Sequence, residues 1–187
     1  MRRLRFRPSV MSILATTTAC RRAAAAAIAV CAAAAYANSL DGPFVYDDRP
    51  AIVRNAFIAE DGSADWLWRT PPHTTLSGRP VAQWTLAVNR WTGGLDPRPY
   101  RVTNLLLHIA CALLIAGLAD RILAARGPFT TRERERLALA AAAAAGWAVH
   151  PLTTAAVSYV IQRVEILAAL FYLLTLYALV RGESGRR

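Results

Sequence analysis

What constrains this 187-residue chain most is the separation of its charge from its apolar length. Four stretches, 23–40, 102–119, 137–149 and 166–180, contain no Asp, Glu, Lys or Arg. They are 18, 18, 13 and 15 residues long, against about 20 needed to cross a hydrocarbon core of about 30 Å. The first two cross with some tilt or local thinning, and the shorter two borrow neighbouring residues. The expected fold is therefore an all-α membrane protein with about four transmembrane helices, at 23–40, 102–119, 137–149 and 164–180, and a large, partly helical extracytoplasmic loop, 41–101, between the first and second. With 55% hydrophobic and 18% charged residues, the chain is too apolar for disorder. Its three cysteines, 20, 31 and 111, lie in or beside the spans with no CxxC or Cys/His spacing, which excludes a disulfide framework and a zinc site.

Loop charge sets the orientation. The head, 1–22, holds six arginines and no acid; 120–136 holds five against three, and the tail 181–187 three against one. These excesses of six, two and two make up the whole net charge of +10, while 38–101 and 150–165 are neutral. The positive-inside rule puts head, middle loop and tail in the cytoplasm, and 41–101 and 150–163 outside. The expected location is an integral membrane, of the bacterial inner-membrane type, with both termini cytoplasmic. Arginines divided among membrane-flanking segments, without a basic aromatic-rich domain, do not make a nucleic-acid surface. The first stretch has a second reading: an Arg-rich head, an apolar run and Ala35-Tyr36-Ala37 also suit a cleaved signal peptide.

The outer loop is rich in turn formers, with prolines at 43, 50, 71, 72, 80, 97 and 99 and glycines at 42, 62, 78, 93 and 94, so it reads as ordered turns and short helices. Apolar residues at 81, 84, 88 and 91 predict one amphipathic helix, and Trp66, Trp68, Trp84 and Trp91 suit the headgroup level. Near the first span, Phe44-Val-Tyr-Asp47-Asp48 sets two carboxylates side by side. Such a pair can supply a general base and an orienting group or cation ligand; it equally suits a helix N-cap. A divalent cation at Asp47/Asp48 is left open. His150-Pro151 and Tyr159-Val-Ile-Gln162-Arg163-Val-Glu165 flank the second outer segment. An arginine there can fork onto a phosphate or pair with Glu165. Asn104 and His108 share one face of the second span, where hydrogen bonding between helices is the expected role.

In chain order, Phe44-Val-Tyr-Asp-Asp48, Gly78-Arg79-Pro80 with Val88-Asn89, and Asp96-Pro-Arg-Pro-Tyr100 are followed by Asn104-Leu-Leu-Leu-His108, His150-Pro-Leu-Thr-Thr-Ala-Ala-Val157 and Gln162-Arg163 through Glu165 to Ala168-Ala-Leu-Phe171. This series resembles the amino-terminal part of a GT-C-type integral-membrane glycosyltransferase, and more closely the family that joins a mannosyltransferase-like membrane domain to tetratricopeptide repeats. The resemblance implies transfer of a sugar, mannose first, from a polyprenyl-phosphate donor to a Ser or Thr hydroxyl of an acceptor protein. It implies Asp47 or Asp48 as base and Arg163 at the donor phosphate, supported by His150, Gln162, Glu165 and Arg79. It also favours a retained first span, from which the acidic motif hangs. Family members have many more spans, so a missing carboxyl-terminal membrane half is expected as a partner. The competing expectation is a non-catalytic multi-span protein whose outer loop binds a partner.

Overall fold

The computed structural model describes residues 10–59, 70–125 and 132–184. Seven α-helices run in chain order among these residues, with no strand: α1 Val10–Tyr36, α2 Ala56–Ala59, α3 Pro80–Gly93, α4 Pro97–Ala125, α5 Glu133–Ala148, α6 Thr154–Ser158 and α7 Arg163–Ser184. The all-α membrane architecture is as expected. Three helical stretches, Thr18–Ser39, Pro97–Ala125 and Val160–Gly182, are long and apolar enough to cross a membrane. Two shorter ones, Glu133–Ala148 and Pro151–Ser158, meet that test as a pair bent by 54°. The apolar run 137–149, too short to cross by itself, is thus the first limb of a broken segment.

Local chemistry explains the boundaries. Asp96 Oδ1 accepts a hydrogen bond from the Arg98 N–H at 3.0 Å, and Pro97 and Pro99 occupy positions where helical N–H groups have no partner anyway, so α4 starts there. Glu133 and Glu135 lie in the first turn of α5, where acids complement the helix dipole. That helix stops because Pro151 forces the residue before it out of helical geometry: His150 has φ −66° and ψ 135°. A 3-10 turn, Pro151–Thr153, then α6, an extended Tyr159 and a second 3-10 turn, Val160–Gln162, lead into α7.

Helix α4 is the axis of the bundle, packed against α1, α5 and α7, and α1 also packs against α5. One apolar cluster joins Ile28, Ala32 and Tyr36 of α1 to Leu105, Ala112, Ala144, Ala148 and Val157. A second ties the loop to the bundle through Ile52, Ile58, Leu76, Leu86, Tyr100, Val160 and Ile161. Each fully buried Ile or Leu there contributes about 1.5–3 kcal/mol. The helix expected around 81–91 is α3. It buries Ala82, Gln83, Leu86, Ala87 and Asn89 and exposes Val81, Val88 and Trp91, so much of its apolar stripe faces away from the protein. Trp66 and Trp68 lie outside the described residues.

Candidate functional site

The loop end of the bundle is built around a broken helix. Wherever α5, α6 and α7 interrupt one another, backbone carbonyls lose their helical partners, and buried carbonyls need replacements. Helix α4 supplies them from one face. His108 Nε2 lies 2.9 Å from the Ala148 carbonyl oxygen, and its ring stacks on Trp147 with centroids 4.7 Å apart. Asn104 Nδ2 donates to the carbonyls of Ala156 and Val160 at 3.2 and 3.1 Å. One turn earlier, Arg101 donates through Nε to the Ser158 carbonyl at 2.8 Å, through Nη1 to Gly42 and through Nη2 to Pro43. From α1, the Tyr36 hydroxyl donates to the Ala148 carbonyl at 3.3 Å and lies 3.2 Å from Thr153 Oγ1. The expected role of Asn104 and His108, hydrogen bonding across helices, is what the structure shows. Arg101 and Tyr36, which sequence reasoning missed, do the same work. The 3-4 spacing of 101, 104 and 108 was the available signal.

A Cβ on Gly42 would lie in ordinary van der Waals contact with the Arg101 guanidinium, 3.4 Å from Nη2.

The two adjacent acids divide sharply. Asp48 is fully buried. Its Oδ2 accepts from the Val45 N–H at 3.1 Å and its Oδ1 from the Ile161 N–H at 2.8 Å, fastening the acidic turn to the segment that precedes α7. Burial raises the proton affinity of Asp48 above the ordinary carboxylate value, against the opposing pull of these N–H groups and the Arg101 charge. Asp47 is exposed. Its N–H donates to the Tyr159 hydroxyl at 3.0 Å. Partial burial raises the Tyr159 pKa, and the neighbouring carboxylates add to the rise. Just before Asp47, Tyr46 has φ +43°. That is a left-handed conformation of the sort concentrated at functional positions, and it turns the chain so that Asp47 faces outward while Asp48 faces in.

The other expected site residues are spread over this end. The Arg163 side chain is sealed from solvent: Nε donates to Asn104 Oδ1 at 2.7 Å and Nη2 to the Tyr100 carbonyl at 2.8 Å. Nη1 has no partner. Pairing of Arg163 with Glu165 is not found, because Glu165 is exposed while the guanidinium turns inward to α4. Gln162 is half-buried, and His150 is exposed with Nδ1 accepting from the Leu152 N–H at 3.2 Å. Arg79 is exposed at the start of α3, with Nη1 donating to the Thr75 carbonyl at 2.9 Å. With both oxygens of Asp48 committed to N–H groups, Asp47 is the one free carboxylate of the pair, a poor donor set for a divalent cation. No group of three or more His, Cys, Asp or Glu converges among the described residues.

The chain is 34% identical over 157 residues to the human protein O-mannosyl-transferase TMTC4, a match covering 77% of this chain and 21% of the relative. It is 32% identical over 164 residues to the Drosophila melanogaster protein O-mannosyl-transferase Tmtc2, covering 81% and 16%. To the human protein O-mannosyl-transferase TMTC2 it is 30% identical over 161 residues, covering 82% and 18%. The chain thus spans about a fifth of the length of the curated relatives it matches. No family model matches it, and no solved structure does.

Proposed function

As a relative of the protein O-mannosyl-transferase TMTC family over most of its own length, the chain offers one free carboxylate on a rigid frame at the loop end of a helical bundle, and we propose that it is the base-bearing, amino-terminal part of a membrane glycosyltransferase. The reaction is transfer of mannose from a polyprenyl-phosphate donor to a Ser or Thr hydroxyl of an acceptor protein, on the extracytoplasmic side, with both described ends of the bundle's basic pole in the cytoplasm. The observation that carries this reading is the division of labour between Asp47 and Asp48. Asp47, exposed and in contact with the Tyr159 hydroxyl, takes the proton of the acceptor hydroxyl as it attacks the sugar. Asp48, buried and doubly hydrogen-bonded, positions the turn. Arg163 has no carboxylate within salt-bridge distance among the described residues, so its charge reaches a phosphate beside the 159–165 turn through a low-dielectric medium. Direct contact requires Nη1 to be uncovered. Gln162, His150, Glu165 and Arg79 are assigned to the donor and acceptor surfaces around it.

The first span is retained in this reading. Cleavage after Ala37 would remove Tyr36 and Ile28, both buried in the bundle; amino-terminal sequencing that began at Asn38 would overturn it. The catalytic assignment is tested by transfer from a polyprenyl-phosphate-mannose to an acceptor peptide in membranes containing the protein. Asp47→Asn is expected to lower the rate by about 10²–10⁴-fold, the usual contribution of a general base. Full transfer by Asp47→Asn would overturn the assignment. Absence of transfer by the unaltered protein, with a partner held by the outer loop, would favour the non-catalytic reading.

A further inference from the structure

The opposite pole of the bundle contains a cavity that the proposed transfer does not use. It measures about 290 Å³ and lies between α1, α4, α5 and α7. Arg21 at its rim is fifteen residues before Tyr36, the end of α1, which places it about 22 Å along the helix from that end. The walls are small side chains: Ala24 and Ala25 of α1, Ala116 and Gly117 of α4, Ala140 and Ala141 of α5. One flank is aromatic. A Cβ on Gly117 would meet the Tyr177 ring at 2.8 Å, so the glycine seats that ring against α4. Arg121 lies over the ring at 4.3 Å.

An apolar cavity of about 150 Å³ already takes up benzene, so this one admits a segment of hydrocarbon chain. Its rim is polar and charged. Arg21 pairs with Asp120 at 3.3 Å and with Glu133 at 3.4 Å, and Asp120 is also held by Arg136 at 2.6 Å. Arg121 donates to the Gly117 carbonyl and has no carboxylate within salt-bridge distance among the described residues. In the sequence, the head 1–22, the middle loop 120–136 and the tail 181–187 carry the whole net charge of +10. An apolar, partly open slot below a cationic rim, in a chain with membrane-spanning helices, matches an amphiphile with a long chain and an anionic head.

We propose that this cavity binds one anionic glycerophospholipid, with an acyl chain between the alanine walls and the phosphate at Arg121 and Arg21. The charge excess is what selects an anionic lipid over a zwitterionic one, because each arginine near the surface contributes about fivefold in affinity for anionic headgroups. The site is independent of the catalytic reading, since it lies at the other end of the helices and uses none of its residues.

The test is native mass spectrometry of the purified protein released from mixed micelles containing equal phosphatidylglycerol and phosphatidylcholine. The unaltered protein is expected to retain one phosphatidylglycerol in preference to phosphatidylcholine by about 25-fold. Arg121→Gln, at the rim, should lower that preference by about fivefold. Ala116→Phe, which fills the slot, should lose the retained lipid while keeping the helical circular-dichroism signal. Equal retention of the two lipids by the unaltered protein would overturn the proposal. So would undiminished retention by both variants, displacement of the lipid by inorganic phosphate alone, or a lipid-free dimer in which a second copy covers the slot.

Discussion

The two poles of the bundle solve different problems with the same helices. At the loop end, α5, α6 and α7 interrupt one another, and Arg101, Asn104, His108 and Tyr36 are spent on carbonyl groups that a continuous helix would have satisfied itself. At the basic pole the helices run uninterrupted. Their polar residues pair with one another instead, as in Arg136–Asp120 and Arg21–Asp120, over walls of alanine and glycine. The difference teaches that a site in a membrane bundle is marked less by its charge than by whom its polar groups serve. Where they serve the backbone, they hold an irregular shape. Asp47 stands on that shape.

This contrast can be broken at the loop end with the largest effect first. Arg101→Ala leaves the carbonyls of Gly42, Pro43 and Ser158 without their donor, and thermal unfolding in detergent should show a loss of about 4 kcal/mol. A loss below about 1 kcal/mol would mean that the loop does not depend on this staple. Asn104→Ala removes two carbonyl contacts and the acceptor for Arg163 Nε, and is expected to cost about 3 kcal/mol. Its distinguishing readout is faster hydrogen exchange over 156–163, with α1 unchanged.

Asp48 sharpens the comparison through pH. Its folded-state proton affinity is raised, so the folded chain holds a proton that the unfolded chain has released. Stability is therefore highest below the ordinary value of 3.8, falls as pH rises through the folded-state pKa, and is flat above it. Asp48→Asn should remove that slope. At the basic pole the smallest effect is expected: Arg21→Ala, whose side chain is 51% exposed, should change stability by at most about 0.5 kcal/mol. A loss of several kcal/mol there would erase the distinction between the poles.

Sequence alone conveyed the number and character of the helices because charge-free length is a direct consequence of the hydrocarbon core. The run 137–149 was legible as too short, yet its continuation was not, since only the 54° bend at His150-Pro151 shows that the limb turns and carries on. Asn104 and His108 were readable from their spacing. Arg101 carries the same spacing, but seven acids balance seven arginines across 38–101 and nothing in that tally marks one arginine as internal. The division between Asp47 and Asp48 depends on the left-handed Tyr46 and on the turn Arg49–Val53 behind it, and neither has a local sequence signature. Arg163 was read as a group facing a ligand, whereas its side chain is turned inward by Asn104 and Tyr100, residues about sixty positions away.

The polar face of α4 has a consequence for how the protein enters a bilayer. A helix bearing Arg101, Asn104 and His108 is a reluctant passenger, because a buried arginine alone adds about 2.5 kcal/mol or more to insertion at the helix centre, less towards its ends. The broken 133–158 segment is reluctant for the complementary reason, with carbonyls that no partner covers. Each carries what the other lacks. The second and third hydrophobic segments should therefore settle into lipid as a pair, held near the translocation machinery until both have been made, rather than one after the other.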